Sequence, residues 1–244
     1  MPDLDPYNPL ELEALGQSLL RQLERQRTYP LAELPKFAGA GIYALYYCGN
    51  LQPYAKIGEF NRTNGCRIPI YVGRAKDPGA RKGLEPFTPV SKPLLWQRVN
   101  DHRKSIAGAA NLVLSDFLVR ALVVLPIWVP LAEAMVILRY QPLWNSHVQG
   151  FGIHAPGKGR HGQQLSHWDS LHPGRAFVAK LRRNESVTRE SLLERIREAE
   201  ETSVAAARSA MAAQDRFEST GPPPRRAARG RRSQSGASPR SKRR

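Results

Sequence analysis

Cysteine is almost missing: Cys48 and Cys66 are the whole supply in 244 residues. Two thiols build neither a disulfide framework nor a four-cysteine zinc site, and their scarcity fits a reducing cytoplasm. The first ten residues lack the basic flank and apolar core of a secretion signal, being acidic and proline-bearing, so none is expected. An unbroken membrane-length apolar run is also lacking. The longest candidate, residues 117–138, contains Arg120, Pro126, Pro130 and Glu133, each awkward in hydrocarbon. It reads instead as a buried strand to Leu125, a proline turn and a helix. No repeat of fixed period is visible. A hydrophobic fraction of 41% with mean hydropathy of −0.47 leaves a globular chain with a core of ordinary size.

Negative charge is the minority sign. Lys and Arg number 37 against 21 Asp and Glu, a net +16. Nine of the basic residues crowd into residues 221–244, where no acid occurs; the other 28 still leave the first 220 residues at +7. The folded part is basic in its own right, which points to a polyanionic partner. Residues 221–244 are Pro, Arg and Ser with nothing to bury, and are expected to be a disordered basic tail.

Between the ends the pattern alternates. Leu10, Leu12, Leu15, Leu19, Leu20 and Leu23 give a first amphipathic helix over residues 9–27. Residues 41–47 (GIYALYY) and 68–73 (IPIYVG) are short apolar strands separated by about twenty polar and glycine-bearing residues, long for a hairpin. A helix over 92–107, a strand over 117–125 and a helix over 130–140 follow. Residues 150–173 hold five glycines, two prolines and four histidines, the composition of a long structured loop. A charged helix over 188–217 closes the ordered part.

Gly41-Ile42-Tyr43 and Tyr71-Val72-Gly73 resemble the paired signature of the GIY-YIG nuclease superfamily, with Val72 for the usual Ile. Arg98 and His102 on the next helix, Glu133 on the helix after the third strand, and Asn145 beyond it stand in the order and spacing of that superfamily's type II restriction enzymes. The run from Gly150-Phe151-Gly152 to His172-Pro173-Gly174-Arg175 is similar to theirs as well. The resemblance implies an α+β fold: a small three-stranded central sheet flanked by helices, with N- and C-terminal helical additions. The expected organisation is a helical arm over 1–33, a nuclease domain over 34–183 that includes a glycine-rich DNA-contact loop at 150–175, a C-terminal helix over 184–220, and the tail.

Phosphodiester hydrolysis explains why these residue types belong together. Water must lose a proton, charge builds on phosphoryl oxygens, and the leaving oxygen needs stabilising. Arg98 offers a planar fork that matches two phosphate oxygens and never loses its proton. Glu133 suits Mg²⁺, which is held by few carboxylates plus phosphate oxygens and waters, so one divalent metal per site is expected. The resemblance points to Tyr43 as the base and Tyr71 as the group orienting water or phosphate. A phenol with a pKa of ~10 needs nearby cations for that task. His102, sharing a helical face with Arg98, could take the base role or support the Tyr43 phenolate. Asn145 would hold the phosphate or a metal-bound water. Each has a plainer reading: Tyr43 and Tyr71 as core tyrosines, Asn145 as a turn residue, Glu133 as the partner of Arg139.

DNA contacts are expected from Arg74, Lys158, Arg160 and Arg175, with glycines letting backbone N–H groups approach phosphates. The stretch 152–159 (GIHAPGKG) falls one residue short of a P-loop, because Gly159 lacks the hydroxyl that would ligate Mg²⁺; no nucleotide cofactor is expected. The loop histidines and two cysteines match no zinc spacing. One site cuts one strand, so breaking double-stranded DNA calls for a homodimer, whose two-fold axis suits a palindrome. The competing functions are a repair or homing nuclease of the same superfamily, and a basic DNA-binding protein without turnover.

Overall fold

The computed structural model describes residues 12–76, 87–153, 164–182 and 188–220. The elements are helix α1 (Leu12–Arg25), strand β1 (Tyr29–Pro30), β2 (Gly41–Tyr47), α2 (Ala55–Asn64), β3 (Tyr71–Ala75), α3 (Leu94–Ala107), β4 (Phe117–Val123), α4 (Val129–Tyr140), α5 (Leu143–Ser146), α6 (His167–Leu171) and α7 (Arg189–Thr220). Residues 1–209 form one compact unit and residues 210–244 a second, whose described part is the end of α7.

The sheet has four strands rather than the expected three, in the order β1-β4-β2-β3, each neighbouring pair antiparallel. The extra strand, β1, pairs Tyr29 with Val119 and Pro30 with Leu118. Two residues carry no alternation to read, and a proline is tolerated there because β1 is an edge. Helix α2 fills the long connection between β2 and β3. Its core-facing residues Ile57, Gly58, Phe60 and Asn61 leave little amphipathic signal in AKIGEFNRTN, and Gly65 ends it at a left-handed φ of 73°. The longest apolar stretch divides between β4 and α4, and among the described residues no helix is long and apolar enough to cross a membrane.

All seven residues of β2 are buried, as expected of a central strand covered on both faces. Ile42, Ala44 and Tyr46 join Leu20 and Leu23 of α1 and Val129, Ala132 and Val136 of α4 in one core. The alternate residues Tyr43 and Tyr47 face an aromatic layer: Tyr47 against Tyr54 and Phe117, and Trp144 against Phe151 and Trp168. Within the first unit, α7 lays Leu192, Ile196 and Ala199 inward, and its buried Glu200 accepts the Ile57 N–H at the start of α2. A carboxylate there satisfies a free amide and opposes the positive helix end. That stripe of α7 is thus used inside the chain. The thiols of Cys48 and Cys66 are free, 3.9 Å apart.

Register places the signature motifs. Tyr43 stands opposite Gly73, and Leu45 opposite Tyr71, so both phenols share the α3 face of the sheet. A Cβ on Gly73 would lie 2.3 Å from the Tyr43 hydroxyl oxygen. Gly73 is thus required by the partner tyrosine. Gly73→Ala should lower unfolding stability by about 1–3 kcal/mol, the usual cost of overpacking. Adding Tyr43→Phe, which removes the clashing oxygen, should recover part of that loss in chemical denaturation.

Candidate active site

β3 is an edge strand, and the cleft opens along it. Tyr71, Arg74, Ala75 and Lys76 from β3 and its end, Leu94, Gln97, Arg98 and Asp101 from α3, and Glu133 from α4 enclose about 630 Å³. The α3 residues recur every three or four positions, one helical face. Arg98 reaches the cleft from one side of the sheet and Glu133 from the other, and they meet where the sheet ends.

Beneath the cleft lies a cluster of rings. Tyr43 and Tyr71 have centroids 6.1 Å apart, and His102 lies 5.6 Å from Tyr43 and 5.2 Å from Tyr71. Phe151 stacks on His102 at 4.5 Å and meets Tyr71 edge-on at 4.8 Å. Tyr43 and His102 are buried, whereas Tyr71 lines the cleft. The Tyr43 hydroxyl has no hydrogen-bond partner among the described residues, although Tyr71 and Arg98 are near enough to act on its ionisation. Burial pushes this phenol well above its ordinary pKa, Tyr71 pushes it the same way, and Arg98 opposes both. Tyr71 is also raised by burial, with Arg98 again opposing. The cations that a phenol base needs are therefore present but outweighed by desolvation.

Arg98 donates to the Gly152 carbonyl at 3.0 Å. A side chain at Gly152 would put its Cβ 2.7 Å from the Tyr71 hydroxyl. Glu133 pairs with Arg74, Nε to Oε2 at 3.1 Å, and not with the exposed Arg139. Burial raises the Glu133 carboxyl, and Arg74 and Arg98 lower it. Glu133 and Asp101 are the acids that line the cleft, and no group of three or more His, Cys, Asp or Glu that could hold a metal occurs among the described residues. So sparse a set of hard oxygen donors fits Mg²⁺ completed by phosphate and water, and fits poorly a metal needing a full protein cage.

Two expected site residues have other duties. The Asn145 amide clamps β3: its Oδ1 accepts the Val72 N–H and its Nδ2 donates to the Val72 carbonyl, both at 2.8 Å. It is occupied by backbone one residue from Tyr71, a positioning task rather than a phosphate contact. Arg175, expected to read DNA, is buried. Its Nε and Nη2 grip both oxygens of Asp169 at 2.7 Å, and its remaining N–H groups donate to the carbonyls of Gly150, Phe151 and Ile153. Trp168 and Phe177 each lie 4.7 Å from its guanidinium. All five donors are consumed. Arg74 carries the Glu133 ion pair besides any role toward DNA. Lys158 and Arg160 lie outside the described residues.

Sequence reasoning missed Phe151 and Gly152 as site neighbours, and Asp169 as the acid that holds the loop. The glycine-rich composition marked the loop but not its direction. His172, one of the loop histidines, is buried between Tyr54 (2.8 Å) and Asn111 (3.0 Å), and burial pushes its pKa down to about 3.

Paired phenols, an arginine and an acid around a basic cleft are the equipment of a phosphodiester-cleaving enzyme. The Eco29kI GIY-YIG domain, a restriction endonuclease family, matches residues 35–200. The chain belongs to that family, and is an endonuclease domain whose substrate is DNA. No curated protein matches the sequence at a significant level.

Arg175→Met leaves the Asp169 carboxylate buried and unpaired and should cost about 3–5 kcal/mol in unfolding stability. Unchanged stability with an altered cleavage sequence would return Arg175 to the DNA-reading set.

Proposed function

We propose that this chain is a Mg²⁺-dependent type II restriction endonuclease that cuts both strands of a short palindromic site in double-stranded DNA as a homodimer. The observation that supports it most is the convergence of Arg98, Glu133 and Tyr71 on one cleft, with Tyr43 and His102 directly behind. These five residues, of four types and separated by up to ninety positions, come from four different elements to meet there. The dimer follows from stoichiometry: one site with one metal cleaves one strand.

In this reading Arg98 lays its fork on the phosphoryl oxygens, where charge grows most, and its bond to the Gly152 carbonyl holds the fork in place. Glu133 would hold the Mg²⁺, which would supply Lewis-acid polarisation of the phosphate and stabilisation of the leaving oxygen. Tyr71, at the cleft wall, orients the attacking water. Tyr43 takes the proton: its unpartnered hydroxyl receives the water's hydrogen bond, while Arg98 supports the phenolate. His102 packs against both rings and is the second candidate for the base. Asn145 fixes the height of Tyr71 through Val72.

Glu133→Gln should abolish plasmid cleavage while leaving gel-shift affinity for DNA within a few-fold, because one uncharged amide does not weaken phosphate attraction. Parallel loss of binding would remove the metal assignment. An intact plasmid with wild-type protein and Mg²⁺ would favour the DNA-binding alternative, and nicks alone would favour a repair nuclease.

The pH profile separates the two bases. Only a deprotonated phenol accepts a proton, and burial raises the Tyr43 pKa, so the reactive fraction grows as pH rises. Single-turnover cleavage should climb about tenfold per pH unit and show no plateau below pH ~9, while Tyr43→Phe should lose ~10²–10⁴-fold. A plateau near pH ~7 would transfer the role to His102.

A further inference from the structure

Arg74 is the one cleft cation that grips the acid assigned to the metal. It lies on β3 opposite Ile42, on the α4 face of the sheet, while Tyr71 and Gly73 face α3. Its side chain is 40% exposed and that of Glu133 22%. The acid is thus mostly sheltered, under an arginine side chain that is itself partly exposed to water. Arg98 takes the other side of the cleft and is anchored to the Gly152 carbonyl. Arg74 spans from the strand edge to the carboxylate, with Lys76 beyond it lining the same opening.

We propose that Arg74 gates the metal position: in the free protein it sits on Glu133 in place of the cation, and it transfers to a DNA phosphate when cation and substrate enter. The gate rests on Glu133 being the Mg²⁺ ligand. A divalent ion on the same carboxylate would stand within a few ångströms of the guanidinium, and like charges so close repel. Leaving is cheap, because a partly exposed ion pair is weak and screened. The destination is favourable, because the planar fork that fits a carboxylate fits two phosphate oxygens as well. One side chain thereby links two binding events: metal frees Arg74 for DNA, and DNA draws Arg74 off the metal ligand. Such linkage is reciprocal, so each ligand must strengthen the other by the same factor. The arrangement keeps Glu133 neutralised in a cleft without substrate and favours loading the metal when phosphate is present.

The test uses the full chain and Mn²⁺ followed by electron paramagnetic resonance, with and without uncleaved duplex, on wild type, Arg74→Ala, Arg74→Gln, Lys76→Ala and Glu133→Gln. Without DNA, both Arg74 variants should bind Mn²⁺ about two- to fivefold tighter than wild type, matching the loss of a partly exposed pair. Lys76→Ala removes the same charge from the same cleft and should change Mn²⁺ affinity less. Both Arg74 variants should also bind duplex more weakly, with the salt slope reduced by about one phosphate contact, and the enhancement of Mn²⁺ binding by duplex should shrink. Wild-type Mn²⁺ affinity in the Arg74 variants, with binding lost in Glu133→Gln, would overturn the gate and keep the metal ligand. An equal gain in Lys76→Ala would reduce the effect to general charge and also overturn it. Unchanged Mn²⁺ binding in Glu133→Gln would overturn the ligand assignment and the gate together.

Discussion

The register of one edge strand sets every distance in the site. β3 pairs with β2 so that Gly73 lies under Tyr43 and Tyr71 beside Leu45. A slip by one residue would turn Tyr71 toward α4 and Arg74 into the ring cluster, since successive side chains alternate faces. Three devices oppose that slip. The Tyr43 hydroxyl leaves room for nothing larger than a glycine opposite. Asn145 grips both polar atoms of the Val72 backbone from the unpaired edge. Asn61 donates to the carbonyls of Tyr47 and Ile68 and accepts the Ile68 N–H, tying the end of β2 to the approach of β3. An edge strand is normally the least determined part of a sheet, and here backbone bonds from two asparagines replace the missing neighbour.

The second constraint holds the segment 150–153 against that strand. Arg175 spends all its donors on Asp169 and on the carbonyls of Gly150, Phe151 and Ile153, with Trp168 and Phe177 against its guanidinium. A charge pair removed from water gives little net stability on its own, and removing one member is costly. What it secures is geometry. The carbonyl of Gly152 receives Arg98, and the ring of Phe151 covers His102 and Tyr71. The glycine-rich segment thus begins as a rigid wall of the site, whatever its later residues do toward DNA.

How much of this was legible in the sequence follows from the kind of signal each part leaves. The apolar runs of β2 and β4 and the spacing of α3 and α4 are periodic and strong, and the nuclease signature lay on them. β1 was invisible because two residues have no period, and α2 because AKIGEFNRTN buries a glycine and an asparagine where a clear stripe would have apolar residues. Within the site, residue type and order were enough to assemble Tyr43, Tyr71, Arg98, His102 and Glu133. Hydrogen-bond direction was not. Nothing in the string distinguishes an asparagine facing a phosphate from one clamping Val72, or an exposed arginine from Arg175, whose acid lies six residues away. Such choices depend on which donors burial leaves unsatisfied, a property of the packed chain.

The same packing sets the terms for the chemistry. Both phenols are held above their ordinary pKa because the sheet and α3 strip water from them faster than Arg98 can compensate. Under the proposed roles, burial favours the protonated form of the base, and Arg74 covers the acid that would hold the metal. Both conditions are relieved by positive charge brought in from outside, since a cation near Tyr71 favours phenolate and a cation on Glu133 competes with the guanidinium. In the proposed gate, DNA phosphates would supply oxygens to the cation that Glu133 would hold and would give Arg74 a new partner. Under that reading, burial that would disable an ordinary hydrolase would act as a requirement that metal and substrate be present together. For an enzyme that cuts DNA, such a requirement would confine proton abstraction to a cleft already holding a phosphate.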